Sequence, residues 1–189
     1  MIILASASPR RVELLRAAGF EFEIVPAEVD EAALVTGDPW TTAEATARAK
    51  ARAVLAMHPG ATVIGGDTVV AVKDDGEWTL LGKPADDEDA ARMLRLLNGR
   101  EHVVVTGATI ADETGERVGS ETSHVRLSLT EAEILAYVAT GEPRGKAGAY
   151  AIQGGHPGIT LVAGAWDNVV GLPIDLVKGL MHTSKNDVM

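Results

Sequence analysis

The stretch "ATVIGGDTVVAV" at residues 61–72 decides the fold, because it places strand signals on both sides of an acidic residue, Asp67. Apolar runs on both sides of Asp67 are typical of buried β-strand. Gly65 and Gly66 precede the acid and allow a backbone or a ligand to approach closely. Burying an unpaired carboxylate is expensive. Asp67 is therefore either a solvated or loop-capping turn residue, or a metal ligand, a general base or both.

The elements around this stretch alternate between strand and helix. "MIILA" predicts a buried strand, followed by a helix with Ser8 at the N-cap and Pro9 at the first helical position. Thr41 and Glu44 predict a capping box at the start of a second helix. A hairpin turn at 74–76 and two long strands at 102–112 and 116–128 follow. This order predicts an α/β fold with a mixed, strongly bent β-sheet flanked by helices.

Length and composition restrict the possible functions. A chain of 189 residues suits one domain, so we expect residues 1–189 to form a single domain. The 17 basic and 27 acidic residues give a formal charge of −10, which argues against a broad nucleic-acid surface. An anionic small molecule would need a local basic pocket or a metal ion. The absence of cysteine excludes a cysteine nucleophile and a disulfide framework. No apolar run approaches the roughly 18 residues of a membrane span. We therefore expect a cytoplasmic protein without membrane contact.

Two lysines stand at informative positions. On a helical wheel, Lys50 falls inside the apolar stripe of the second helix, whereas Arg48 and Arg52 lie opposite. Lys50 either snorkels from the edge of the stripe to water, or points into a pocket where its ammonium meets an anion. Lys83, in "LGKP", has a solvated loop position as its default interpretation.

An arginine pair marks the first turn of the first helix. The helix dipole disfavours cations there, so Arg10 and Arg11 concentrate positive potential beside free backbone N–H groups and serine hydroxyls. This arrangement describes a phosphate cradle. The alternative is a pair of surface arginines bound to acids such as Glu13. Glu31 is either another such partner or a metal ligand.

A glycine-rich segment, "GEPRGKAGAYAIQGG" at residues 141–155, has two interpretations. It either only turns corners, or it lines a ligand site beside Lys146. In the second case Tyr150 would stack on a base, and the amide of Gln153 would read a base edge.

Five motifs together resemble one family. "LASASPRR" at 4–11, "GGDTVV" at 65–70, "GKP" at 82–84, "KAGAYAIQG" at 146–154 and "NVVGLP" at 168–173 have the order and spacing of the Maf family of nucleoside triphosphate pyrophosphatases. The resemblance implies a cytoplasmic homodimer with an active-site cleft between two lobes. It implies hydrolysis of a nucleoside triphosphate to the monophosphate and pyrophosphate with a divalent cation. Arg10, Thr68 and Gln153 resemble the specificity positions of the branch that prefers dTTP and UTP and also accepts modified pyrimidine nucleotides.

The same resemblance assigns roles to single residues. Asp67 matches the proton acceptor, and Lys50, Lys83 and Arg11 match catalytic positions in the polar cleft. Ser8 matches a substrate-binding position. Glu31 and Asp67 are expected to hold the metal, Mg²⁺ or Mn²⁺.

Two other functions compete with this one. The first is a regulatory interaction protein in cell division or septum formation, whose effect would survive Asp67→Asn. The second is a house-cleaning pyrophosphatase directed at purines, which would prefer inosine or xanthosine triphosphate. A panel of nucleotides distinguishes the pyrimidine-directed enzyme from the purine-directed one.

Overall fold

A computed structural model describes residues 1–182 and contains a mixed sheet of seven strands. The strands are β1 (Ile2–Leu4), β2 (Glu23–Ile24), β3 (Thr62–Asp74), β4 (Glu77–Leu81), β5 (Glu101–Asp112), β6 (Gly115–Leu127) and β7 (Ile159–Ala163). Their order is β2-β1-β3-β5-β6-β7, and β4 also pairs with β3. The β1–β2 and β1–β3 pairs are parallel and the others antiparallel. The predicted mixed α/β class is confirmed, and the sheet is not closed.

Six α-helices within residues 1–182 flank the sheet. They are α1 (Pro9–Ala17), α2 (Pro39–Met57), α3 (Asp87–Leu97), α4 (Glu131–Ala139), α5 (Trp166–Val170) and α6 (Ile174–His182). The expected domain of residues 1–189 extends to residues 183–189, which lie outside the described part.

One edge of β3 changes its partner midway. Residues 62–64 of β3 pair with β1, and residues 70–74 pair with β4. Because β1 is parallel to β3 and β4 is antiparallel, the carboxyl ends of both strands point at the stretch between them, residues 65–69. The other edge of β3 pairs with β5 from Val63 to Ala71. Asp67 therefore lies in the middle of a continuous strand, and its interpretation as a turn residue is wrong.

Alternation along β3 places neighbouring residues on opposite faces of the sheet. Helix α2 packs on the face that carries Asp67. Two glycines allow this close packing, because a Cβ at Gly65 would lie 2.2 Å from the carbonyl oxygen of Ala47, and a Cβ at Gly107 would lie 2.4 Å from that of Ala43. The opposite face, which carries Thr68, packs against apolar side chains of α1 and α6 and against Leu172.

The start of α2 differs from the prediction. The helix begins at Pro39, and the Oδ2 atom of its N-cap, Asp38, accepts a hydrogen bond of 2.8 Å from the backbone N–H of Thr41. The predicted capping box of Thr41 and Glu44 is therefore wrong. Proline suits the first helical position because its φ is already helical. A backbone N–H at this position would have no partner within the helix, so proline loses no hydrogen bond there. The Asp-Pro pair consequently starts the helix earlier. Ser8 is the N-cap of α1 as predicted, although its side chain makes no capping hydrogen bond.

Candidate active site

A cleft of about 630 Å³ opens where β3 changes its partner. All the site residues predicted from the sequence line it: Ser8, Arg10, Arg11, Glu31, Lys50, Asp67, Thr68, Lys83 and Gln153. They come from both faces of the sheet and from the segments that follow β1 and β4. The structure therefore brings the predicted set together in one cavity.

One ammonium group joins the two acids of the cleft. The Nζ atom of Lys50 lies 2.7 Å from Oδ1 of Asp67 and 2.7 Å from Oε1 of Glu31. Only 9% of the Lys50 side chain is exposed, so it does not snorkel to water. It points from the buried face of α2 into the cleft, where it meets two carboxylates. Burial would raise the pKa of Glu31, but the hydrogen bond and charge of Lys50, with Lys83 and Arg11 adding, hold that pKa below its usual value.

Arg11 reaches the cleft from the other face of the sheet. Its Nε donates to the carbonyl oxygen of Gly171 at 2.7 Å, Nη1 donates to Ser6 Oγ at 3.2 Å, and Nη2 donates to Thr68 Oγ1 at 3.1 Å. These three partners are neutral, so the interpretation of Arg11 as a surface ion pair is wrong. Burial lowers the pKa of the guanidinium and Asp67 opposes that shift. Arginine stays protonated despite such a shift.

Three more cations line the cleft. Arg10 is half-buried, and this burial lowers the pKa of its guanidinium. Lys83 is exposed and lies two residues after the end of β4. Lys146 is half-buried, and its Nζ donates to the carbonyl oxygen of Glu142. Burial lowers the pKa of Lys146, and the charge of Arg10 acts in the same direction. A chain of net charge −10 thus gathers positive charge locally at one cavity.

The glycine-rich segment contributes to the cleft through Lys146, Tyr150 and Gln153, so it does more than turn corners. The Tyr150 ring is only 5% exposed, and its hydroxyl bonds to Nε2 of His102 at 2.8 Å. Protein therefore covers most of this ring, which argues against the predicted stacking on a base. Gln153 is exposed at the cleft.

Sequence reasoning counted Ser6 only among the serine hydroxyls beside the arginine pair, and it missed Thr106 and Asn168. Ser6 is buried and accepts from Arg11 and from the backbone N–H of Ser8. Thr106 on β5 is fully buried, and its Oγ1 bonds to Thr68 at 3.0 Å. Asn168 is fully buried, and its side-chain amide donates to the carbonyl oxygen of Val104 at 3.0 Å. The motifs "LASASPRR" and "NVVGLP" contain Ser6 and Asn168, but nothing local in the sequence indicates Thr106.

The two acids fit a divalent cation bound together with phosphate. Within residues 1–182 no group of three or more His, Asp or Glu side chains forms a metal site of protein ligands alone. Oε1 of Glu31 and Oδ1 of Asp67 nevertheless each lie 2.7 Å from the same ammonium nitrogen, so one oxygen of each carboxylate faces a common position in the cleft. Mg²⁺ is typically bound by one or two carboxylates plus substrate phosphates and water.

Comparison with known proteins identifies the family. The family model described as "Maf-like protein" matches residues 1–184. The chain belongs to the Maf family. This Maf-family chain is 47% identical over 183 residues to a protein of Koribacter versatilis named dTTP/UTP pyrophosphatase, covering 96% of this chain and 93% of that one. A protein of Geotalea uraniireducens with the same name is 49% identical over 179 residues, covering 92% and 89% of the two chains.

A solved structure, that of the Staphylococcus aureus Ham1 protein, matches 67% of this Maf-family chain and 71% of its own with a TM-score of 0.47 and 15% identity. Among the helices within residues 1–182, none has both the length and the apolar character needed to cross a membrane.

Proposed function

We propose that this chain hydrolyses pyrimidine nucleoside triphosphates, dTTP and UTP foremost, to the monophosphate and pyrophosphate. One observation carries this proposal. In a single cleft, Asp67 and Glu31 both contact Lys50, and Arg11 enters the same cleft from the opposite face of the sheet. Relatives that are 45–49% identical along nearly the whole chain carry the name dTTP/UTP pyrophosphatase, which supports the same activity here.

The triphosphate binds over the amino end of α1. Backbone N–H groups and the helix dipole favour an anion there, and Ser8 adds a hydroxyl. Arg10, Arg11 and Lys83 neutralise the phosphate oxygens, so that a net-negative protein can hold a polyanion. Arginine binds two phosphate oxygens at once, which also fixes the orientation of the chain of phosphates.

Asp67 acts as the general base. It accepts a proton from the water whose oxygen attacks the α-phosphorus, while the bond from that phosphorus to the bridging oxygen breaks and pyrophosphate leaves with the bonding electrons. Lys50 orients the carboxylate and keeps it in the cleft. Glu31 and Asp67 would hold Mg²⁺ or Mn²⁺, and the ion when bound neutralises charge on the phosphate oxygens.

Gln153 is the residue that we assign to base recognition. Its side chain lies exposed in the cleft, on the glycine-rich segment. An amide offers one donor group and one acceptor, which matches the alternating acceptor and donor groups on the imide edge of uracil and thymine.

A substrate panel with pyrophosphate detection tests the proposed function. The purified chain would be assayed with dTTP, UTP, CTP, GTP, ITP and XTP, with Mg²⁺, with Mn²⁺ and with a chelator. We expect metal-dependent turnover, fastest with dTTP and UTP. Equal rates on all six would contradict pyrimidine preference, and faster turnover of ITP or XTP would favour the purine-directed enzyme. An effect on septum formation that survives Asp67→Asn would favour the regulatory protein.

The wider organisation is proposed on the family resemblance. We propose a single domain over residues 1–189, working as a homodimer in the cytoplasm. Sedimentation analysis of the purified chain measures its mass in solution, and a monomer at micromolar concentration would contradict the dimer.

A further inference from the structure

We propose that Thr106 is a positioning residue, which holds the guanidinium of Arg11 towards the phosphates through the hydroxyl of Thr68. The proposal rests on the proposed function in that Arg11 is taken to bind the substrate's phosphates. It assigns a role to a buried side chain outside the motifs, and it changes the role of Thr68 from reading the base to orienting an arginine.

The hydrogen bonds form a continuous chain. Arg11 Nη2 lies 3.1 Å from Thr68 Oγ1, which lies 3.0 Å from Thr106 Oγ1. Thr106 Oγ1 in turn lies 2.8 Å from the carbonyl oxygen of Asn168. Thr68 and Thr106 face each other directly across β3 and β5, so the register of the sheet fixes the separation of the two hydroxyls.

Chemistry at the two ends sets the direction of every bond in this chain. A guanidinium only donates, a carbonyl oxygen only accepts, and a threonine hydroxyl carries one proton. Thr106 must use its proton on the carbonyl of Asn168, so it accepts from Thr68. Thr68 has then used its own proton, and its oxygen accepts from Arg11. The Thr68 hydroxyl consequently has no proton left to donate to a nucleotide base.

The far end of the hydrogen-bonded chain lies in the protein interior. Asn168 is fully buried, and its side-chain amide donates to the carbonyl oxygen of Val104 and to Ser123 Oγ. Thr106 is fully buried as well. An unpaired polar group at such a position is expensive, so the bonds persist when the cleft is open to water.

The same geometry leaves part of the guanidinium for a ligand. An arginine side chain has five N–H groups, and within residues 1–182 Arg11 uses three of them, on Gly171, Ser6 and Thr68. One N–H on each terminal nitrogen remains for phosphate oxygens. With Nε and both terminal nitrogens held, the plane of the guanidinium cannot rotate without breaking bonds to the protein.

A double-mutant cycle with Arg11 tests the proposal. Thr106→Val keeps the shape of the side chain and removes the hydroxyl. We expect kcat/KM for UTP to fall about tenfold, and the Kd for inorganic tripolyphosphate, measured by calorimetry, to rise by a similar factor. In an Arg11→Met background, Thr106→Val should change neither quantity further, because it acts through Arg11. An equal loss in both backgrounds would overturn the proposal, since a purely structural defect is additive.

The hydrogen bonds from Thr106 through Thr68 to Arg11 are called the relay below. Two further variants of β5 distinguish a loss of this relay from a folding defect. Thr106→Ser retains the hydroxyl and should restore both constants to within about threefold of the original. Thr109 is the matched control, because it lies on the same strand, is fully buried, and its Oγ1 has no hydrogen-bond partner within residues 1–182. Thr109→Val should leave both constants unchanged. A loss with Thr109→Val equal to that with Thr106→Val would contradict the relay.

The experiment also works if one variant or one assumption fails. If Thr106→Val does not fold, Thr68→Val breaks the same chain at its half-buried end, and unchanged constants there would overturn the relay. If the original chain releases no pyrophosphate from any pyrimidine triphosphate, the proposed function is wrong, and the cycle on tripolyphosphate affinity still decides the relay. Failure of the original chain to bind tripolyphosphate would contradict the orientation of Arg11 towards phosphate.

Discussion

The Nζ atom of Lys50 lies 2.7 Å from Oδ1 of Asp67, although the lysine comes from a helix and the acid from the central strand of the sheet. This contact requires α2 to lie directly on the sheet, which Gly65 and Gly107 permit. A second carboxylate, that of Glu31, binds the same ammonium. The positions of the two carboxylates therefore depend on Lys50, and the position of Lys50 depends on the glycines at 65 and 107.

Replacing Asp67 with Asn should remove the base and preserve the fold. We expect kcat to fall by at least about a hundredfold, since general base catalysis contributes that much or more. The thermal midpoint should stay close to the original, because the amide oxygen can still accept from Lys50. Pyrophosphate release and circular dichroism measure the two quantities. Asp112→Asn, which removes the charge that pairs with Arg117 outside the cleft, is the control and should keep kcat. Near-normal turnover of Asp67→Asn would exclude Asp67 from the mechanism.

Replacing Lys50 with Met should deprive the two carboxylates of the ammonium that both of them contact. We expect a higher KM and a lower kcat, with kcat/KM reduced at least about tenfold, because the acids lose their orientation and repel each other. Steady-state kinetics on UTP measure both constants. Arg52→Met is the matched control, since it removes an exposed cation from the opposite face of the same helix. If Lys50→Met behaved like Arg52→Met, the contact with the acids would have no catalytic role.

Replacing His102 should change how stability depends on pH. Burial lowers the pKa of His102 from 6.5 to about 4. Above pH 6.5 the imidazole is neutral in both states. Between pH 6.5 and 4 the unfolded chain binds the proton and the folded chain does not, so the free energy of unfolding decreases as the pH falls. The loss from this group reaches about 3 kcal/mol near pH 4.

Urea unfolding of His102→Gln at pH 7 and pH 4.5 measures this contribution. The variant should lose less stability between the two pH values than the original chain. His182→Gln removes an exposed histidine and should behave like the original. An identical pH dependence for His102→Gln and the original would show that His102 does not fold as a buried neutral group.

Replacing Gln153 with Ala should affect the base and spare the phosphates. We expect kcat/KM for dTTP and UTP to fall about tenfold, because the imide edge loses its hydrogen bonds. Affinity for inorganic tripolyphosphate, which has no base, should not change. Kinetics on the nucleotide panel and calorimetry with tripolyphosphate separate these effects. Equal losses for dTTP, UTP, CTP and GTP would contradict base recognition by this amide.

Replacing Gly107 with Ala should push α2 away from the sheet. A Cβ there would lie 2.4 Å from the carbonyl oxygen of Ala43, so the backbone must move. We expect a loss of stability of about 2 kcal/mol, as for other overpacked sites, and a lower kcat because Lys50 moves with its helix. Chemical unfolding and kinetics measure both. At Gly179 in α6 a Cβ would meet no atom of residues 1–182 within 4 Å, so Gly179→Ala is the control and should not destabilise the chain. Unchanged stability for Gly107→Ala would contradict the close packing of α2.

Local periodicity was sufficient for part of the site. The position of Lys50 on the buried face of α2 follows from the spacing of apolar residues, because a helix repeats over a few residues. Arg10 and Arg11 were recognised because both stand in the first turn of α1, where the helix dipole disfavours cations. Such features are encoded within one element of the chain.

Features that depend on two elements were not predictable in this way. Thr106 resembles any β-branched strand residue until the register of β3 and β5 places it beside Thr68. The predicted capping box at Thr41 is a different kind of error, made within one element, because Asp38 and Pro39 form a competing start three residues earlier. Tyr150 was predicted to stack on a ligand, but its hydroxyl binds His102, which is distant in the sequence.

Adjacent positions of β3 have different chemical tasks because the strand passes between two layers. Asp67 accepts a hydrogen bond from Lys50 on one face of the sheet, and Thr68 accepts one from Arg11 on the other face. Inserting or deleting one codon within residues 65–68 would exchange these assignments and direct the acid towards the arginine layer. We therefore expect insertions to be tolerated outside this strand, as at the β3–β4 hairpin. Extra residues there do not change which β3 side chains point to each face of the sheet.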